Sequence, residues 1–559
     1  MARLVLEYPS YASRPRGSLL SSTSKMLRRL QSALALVLTF SLTLSAQERV
    51  DLGVVHQIKT EAFQNPKVMD NVFQLTDVYG PRLTNSPQFR AAGEWAVKQL
   101  KEFGLDNVKL EKWGPFGRGW AYTSYSGSID EPQYQPLIGY PLAWTPGTDG
   151  PLTAEAVLAP IRNEADLDQY KGKLRGKIVL RDFPRALPLP SDPAGRRLSD
   201  AQLADLSVFP IPAPPGRGGR TGQPPFNPQQ ARRLRERVNR FWKDEGVPLV
   251  VRESSGGDAG TVFGLGGDRE SKDNVPTIVL SAEHYNRIAR LLDHKLPVKL
   301  TFDVKAQFYD DDPASFNVIA EIPGNGKRDE VVMVGAHFDS WHLGTGATDN
   351  AAGSAVVMEV MRILKTLDLK MDRTVRLALW GGEEEGLLGS KAYVKEHFAD
   401  PATMKPTTEH QRFAGYFNID NGSGKIRGVN LQDNDAMRPI FEKWLEPYRD
   451  LGASTIALRN TGGTDHLSFD AVGLPGFQFI QDPLDYATRT HHSNMDVYDR
   501  IQATDLEQAA AIIASMVYNA ATRPDKLPRK PLPKPRPPRP GDDAPAATTP
   551  SAGLASAPR

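Results

Sequence analysis

The chain is 559 residues long, more than one hydrophobic core can serve, so two or three domains are expected. Hydrophobic residues make up 40% and charged residues 24%, the balance of a soluble globular protein, and 68 basic against 66 acidic residues leave a net charge of +2 that gives no reason to expect nucleic acid. Cysteine is absent, which excludes disulfides and thiolate metal sites; a metal would have to be held by nitrogen and oxygen from His, Asp and Glu.

In chain order, residues 1–46 come first as an upstream segment and export signal. Residues 1–25 have no apolar pattern, and Met26 is a candidate start. Arg28 and Arg29 precede an apolar run at 33–44, small Ser45 and Ala46 follow, and Gln47, Glu48 and Arg49 end the pattern. This reads as a cleaved signal peptide of an exported (periplasmic or secreted) protein, with an uncleaved anchor as the alternative and no stable membrane span after cleavage. Residues 47–129 carry a helix at 88–103, with Trp95, Val97, Leu100 and Phe103 as core candidates, and are assigned to the same domain as residues 310–522. Residues 130–309 form an inserted β-rich domain with short runs at 154–158, 177–180, 248–251, 277–280 and 298–302. A Pro-, Gly- and Arg-rich excursion at 183–228 interrupts it, followed by a basic helical stretch at 229–245.

From 310 to 522 the pattern alternates: strands at 331–336, 374–380, 413–419 and 476–481, helices at 350–367, 388–396, 435–451 and 505–519. In the first of these helices Ala352, Val356, Val360, Ile363 and Leu367 make one apolar face. The fold class is α/β, a mostly parallel mixed sheet with helices on both faces. Residues 523–559, dominated by proline and alanine, read as a disordered tail.

Ligands of such sheets bind beyond the carboxyl ends of the strands. Those ends carry His337 and Asp339, then Glu383, Glu384 and Glu385, then Asp420; Asp349 opens a helix, and His491 and His492 lie in a later loop. Each has a bland alternative: a hydrogen-bonded core histidine, a helix N-cap, a solvated acidic run, a turn residue. Their common place at strand ends favours a shared site. Two divalent ions need a shared carboxylate and separate N/O ligand sets, and adjacent glutamates can divide into a ligand and a free base. Asp339, two residues after His337, is placed to hydrogen-bond its imidazole.

The segments "GAHFDSW…GATDNAAGSAVVMEVMRIL", "WGGEEEGLLGS", "FNIDNGSGKIRG", "GGTDHLSFDAVGLPGFQF" and "THHSNMDVYDRI" resemble the M28 family of dinuclear zinc exopeptidases, and "YGPRLTNSPQFRAAGEWAVKQLKEFGLDNVKLEKW" looks like the opening of its secreted members. The insert, most tellingly "KLRGKIVLRDF", is similar to a protease-associated domain. The resemblance implies a phosphorylase/hydrolase-like zinc-exopeptidase fold and two Zn2+ per chain. His337 and Asp420 would bind one ion, Glu384 and His492 the other, and Asp349 would bridge them. Glu383 would be the general base, with Asp339, Asp496, Asp465 and His466 around the site and a cis peptide between Asp349 and Asn350. The implied activity is hydrolysis of a terminal bond of a peptide substrate by metal-activated water. Aminopeptidase is the first choice, and carboxypeptidase or dipeptidase action on the same residues is the competitor. A single-zinc glutaminyl cyclase or a non-catalytic receptor-like protein fits less well, because all five ligands and Glu383 are present. Oligomeric state and amino-acid preference are not encoded in these motifs.

Overall fold

A computed structural model describes residues 48–189, 191–208 and 228–536. The expected export signal falls outside them, except that its polar flank begins at Glu48. Among the described residues no helix is long and apolar enough to cross a membrane.

The chain builds two eight-stranded mixed sheets. In the first, Thr374–Trp380, Val331–His337, Phe413–Asn418 and Gly476–Gln481 lie side by side and parallel. They are mostly apolar and buried along almost their whole length, as strands covered on both faces are. Ser315–Ile322 and Asp106–Trp113 extend one edge antiparallel; Ile426–Asn430 and Thr455–Ala457 extend the other. The second sheet has a parallel centre of Leu152–Leu158, Ile178–Leu180, Leu249–Glu253 and Thr277–Leu280, flanked by the long antiparallel pair Gly119–Glu131 and Lys299–Tyr309. The boundary expected at 129/130 therefore moves: the strand Gly119–Glu131 pairs along its length with Lys299–Tyr309, so the second sheet already begins at Gly119.

Helix Ala352–Thr366 departs from a one-faced amphipathic pattern: every residue from Ala352 to Leu364 is buried. Leu52–Gln64 and Ala503–Thr522 pack over the face that would otherwise meet solvent. Its two charged side chains there are satisfied internally, Arg362 binding Glu359 (2.8 Å) and Glu61 (2.7 Å). The helix Pro87–Glu102 starts where Ser86 Oγ accepts from the N–H of Phe89, and Pro87 needs no donor there. Its core face is Phe89, Ala92, Gly93, Ala96 and Leu100; of the expected set only Leu100 is fully buried, while Trp95, Val97 and Phe103 pack at the margin. The helix expected at 435–451 is a short Arg438–Leu445 helix between two 3-10 turns, with Pro439 and Pro447 near the junctions.

The tail is also corrected in part. Residues 523–536 have no helix or strand, yet Leu527 is buried in the main core, Arg529 donates to the carbonyls of His410 (2.8 Å) and Phe413, and Lys530 donates to Gln432 O (2.8 Å). One buried leucine and several main-chain acceptors tie down a stretch whose composition alone suggests nothing to bury.

Candidate metal centre

The site lies at the carboxyl ends of the parallel strands. His337 is the last residue of Val331–His337. After Thr374–Trp380, Gly382 takes φ +71°, a turn that suits glycine, and delivers Glu383 and Glu384 with their N–H groups facing Asp339 (3.2 Å each). Asp420 follows Phe413–Asn418, and the carbonyl of Asp420 accepts from Gln478 (2.8 Å). Asp349 sits in the turn before helix Ala352–Thr366, and the Asp349–Asn350 peptide is cis. Asp496 fixes this turn, its carboxylate accepting from Thr348 N (2.6 Å), Thr348 Oγ1 (2.8 Å) and Asp349 N (3.2 Å).

Five side chains converge. Asp349 Oδ1 lies 3.1 Å from His337 Nε2, which lies 3.3 Å from Asp420 Oδ1. Asp349 Oδ2 lies 3.3 Å from His492 Nε2, which lies 2.9 Å from Glu384 Oε2. Glu383 lies beside His337 and Asp420, its carboxylate within 4.8 Å of their ligand atoms. His491 is also near, 3.8 Å from Asp349 Oδ2, but it stacks against Tyr486 and does not share Glu384. Of the five, only His492 is appreciably open to the cavity in front of the site, at 21% exposed against 8% or less for the others. That cavity, ≈ 2400 Å3, is walled by the loops 185–198, 255–267, 459–463 and 483–492.

The other expected residues divide. Asp339 meets His337 through its carbonyl (3.1 Å from Nδ1), with its carboxylate at 3.7 Å from that nitrogen. The carboxylate also anchors the Glu383–Glu384 main chain, so Asp339 reaches both the imidazole and the acidic turn. Asp465 is fully buried close enough to Glu383 to raise its pKa. His466 points away, 3.1 Å from Thr461 O, and takes no part in the cluster. The acidic run is not a solvated face, because Glu383, Glu384 and Glu385 are all buried. Glu385 turns to Thr84 (2.8 Å), and burial together with Asp339 pushes it up to about 8.

Two contributors carry no metal-type signature in sequence. Arg82 is fully buried and donates to the carbonyls of Phe338 (2.8 Å), Leu75 (2.5 Å), Thr345 (3.0 Å) and Gly346 (3.0 Å), stapling the loop between His337 and Asp349. Thr84 Oγ1 lies 3.0 Å from Asp339 Oδ2. Their signal is only the polar "PRLTNS" ahead of a helix.

The electrostatics ask for cations. Burial and neighbouring carboxylates push Glu383 and Glu384 well above the usual range. Burial opposes charge on His337, but Asp420 and Glu383 overcome it and hold its pKa well up. Asp349 Oδ2 and Glu384 Oε1 are buried without a hydrogen-bond donor. Buried acids crowded around two imidazoles, with orphaned oxygens pointing inward, fit a pair of divalent ions bound by N and O donors.

Residues 317–517 match the family model described as peptidase family M28. The chain is 25% identical to carboxypeptidase Q of Mus musculus over 81% of this chain and 86% of that protein. It is 30% identical to aminopeptidase YwaD of Bacillus subtilis (strain 168), over 36% of this chain and 44% of that one. In fold it is similar to the crystal structure of a peptidase M28 precursor from Shewanella amazonensis SB2B, with TM-score 0.62 and 26% identity over 86% of this chain and 98% of that chain. Strand-end ligands, paired orphaned oxygens and these likenesses converge on one conclusion: the chain carries a peptidase family M28 domain.

Proposed function

We propose that the protein is an exported zinc exopeptidase with two ions per chain. The observation that carries this is the division of Asp349, one oxygen beside His337, whose Nε2 also meets Asp420, and the other beside His492, whose Nε2 also meets Glu384. His337 and Asp420 would hold one Zn2+, Glu384 and His492 the second, and Asp349 both. The ions would supply Lewis acidity that lowers the pKa of a water and stabilises charge on the substrate carbonyl oxygen. Glu383, buried beside His337 and Asp420, is read as the base rather than a ligand: it would take the proton from the attacking water and give it to the departing amine. Asp339 and Asp496 orient the main chain of Glu383, Glu384 and Asp349. The second sheet with its loops is read as the protease-associated insert.

Release of an amino-terminal residue is the first reading, because acids dominate the metal surround and suit an α-ammonium. A carboxypeptidase or dipeptidase reading is favoured by a separate observation: Lys391, Arg459 and Arg489 line the same cavity and suit an α-carboxylate. Metal content measured alongside cleavage of free, N-blocked and C-amidated peptides tests all of this. About two zinc ions with cleavage that needs a free amino terminus supports aminopeptidase, cleavage of N-blocked but not C-amidated peptides supports carboxypeptidase, and no metal with no hydrolysis refutes the proposal.

A further inference from the structure

The two halves of the centre are supported differently. His337 and Asp420 are held from the first sheet and its covering helix, Ser354 Oγ donating to His337 O (2.7 Å) and Gln478 to Asp420 O, while Asp496 at the end of the 482–496 loop holds the turn of the shared Asp349. His492 rides on the loop 482–496, and that loop is gripped from two sides by segments belonging to the second sheet.

On one side lies the Pro-rich excursion. Arg196 N donates to Leu484 O (3.0 Å), Thr488 Oγ1 donates to Ala194 O (2.6 Å), and Leu198 N donates to Asp482 Oδ1 (2.9 Å). Arg197 Nη1 bridges Asp482 (2.9 Å) and Asp505 (2.7 Å), whose carboxylates are almost wholly buried. On the other side the loop after Leu249–Glu253 pairs with the residues around the ligand. Gly264 N donates to His492 O (3.2 Å), Val262 N to Asn494 Oδ1 (2.7 Å), and Asn494 N to Val262 O (3.1 Å). His492 itself has φ +61°, a left-handed conformation that a non-glycine residue keeps only when its surroundings impose it.

We propose that segments 194–198 and 260–264 form a clamp on the 482–496 loop that sets the affinity of the Glu384–His492 metal position, with Arg197 as its positioning residue. The inference rests on the two-ion assignment above and extends it: segment 194–198 of the excursion supports the metal centre, and the Glu384–His492 position responds more strongly than the other to changes there. Groups that orient a metal ligand typically contribute 10- to 100-fold to affinity.

The test is calorimetric titration of the metal-stripped full chain with Zn2+. In Arg197→Gln one of the two binding steps should fall roughly 10- to 100-fold while the other moves less than about threefold, and Arg197→Lys should recover part of the loss. In a His492→Ala background Arg197→Gln should change the remaining step little; in a His337→Ala background it should weaken the step that is left. Thermal unfolding of the metal-free variants separates clamp loosening from general collapse, and Thr488→Val, which removes one hydroxyl contact, serves if Arg197→Gln does not fold. Equal weakening of both steps, or no change in either, overturns the clamp while leaving the two-ion reading intact. A wild-type chain that takes up no zinc overturns both.

Discussion

Arg82→Met should be among the most damaging substitutions outside the metal ligands. The guanidinium is fully buried and donates four hydrogen bonds, all to main-chain carbonyls, three of them on the loop that joins His337 to Asp349. Methionine fills much of the volume but withdraws the guanidinium donor from all four carbonyls, of which Gly346 O keeps the N–H of Ala351. It also removes the buried cation that faces Asp496, Asp339, Asp349 and Glu384, whose field partly offsets the lowering of the Arg82 pKa to about 10 by burial. Removing one side of a buried charged network costs about 3–5 kcal/mol. At roughly 2–4 °C per kcal/mol for a domain of 150–250 residues, the melting temperature should drop by about 6–20 °C. Arg82→Lys should recover less than half, because one ammonium cannot span carbonyls that a planar fork reaches together. The assay is thermal unfolding followed by circular dichroism, with zinc in excess and with chelator. A drop below about 2 °C in both conditions would refute the claim that this residue staples the ligand loop.

Glu383→Gln should keep both ions and lose roughly 10^2- to 10^4-fold in turnover, whereas Glu384→Gln should lower metal content; undiminished activity in the first or unchanged occupancy in the second would show the register wrong by one. Burial would lower His397, but the hydrogen bond and charge of Glu111 (2.8 Å) more than offset it and its pKa is raised; on Glu111, burial is likewise outweighed by His397 and Lys109, and its pKa falls to about 2. The histidine's contribution to stability is complete below its unfolded value of about 6.5 and is lost as pH rises through the raised folded value; the glutamate's is complete above about 4.3 and is lost as pH falls toward about 2. Glu111→Gln should therefore destabilise most near pH 5–6 and least near pH 9, and should return the His397 titration, followed by NMR, below its wild-type position. Leu527→Ala should lower stability by about 2 kcal/mol or more as a buried leucine truncation, measured by thermal unfolding; an unchanged midpoint would mean the 523–536 segment is not docked.

The site was legible because its chemistry is written in short contiguous motifs at strand ends. Val331–His337 followed by Asp339, and Thr374–Trp380 followed by Gly381, Gly382 and the acids, each state a strand, a turn and a ligand within a dozen residues. What escaped was long-range. Gly119–Glu131 could not be assigned to the second sheet because its partner, Lys299–Tyr309, lies about 180 residues on. Helix Ala352–Thr366 reads as one-faced because Glu359 and Arg362 look like solvent residues until Glu61, some 300 positions earlier, is found between them. The same distance hid Arg82, whose acceptors include Phe338, Thr345 and Gly346, and the excursion, whose partners are Asp482, Leu484, Thr488 and Asp505.

Several of these long-range contacts share a direction: they run toward the proposed metal ligands. Arg82 holds the segment between His337 and Asp349, Asp496 holds the turn of Asp349, and Arg197 with Gly264 and Asn494 holds the loop of His492. A cluster of buried carboxylates is self-repelling before ions arrive, so its geometry has to be imposed by groups that do not themselves coordinate. Hydrogen bonds to main-chain carbonyls and N–H groups do this without adding competing ligands. That explains why the supporting residues include Arg82, which donates to carbonyls, and Asp339, Asp496 and Asn494, which accept from amides, and why Arg82 and Asn494 do not announce themselves by residue type. The proposed ligands would specify which chemistry is available; the distant contacts would decide whether the two halves of the centre stand at the spacing that one shared aspartate can bridge.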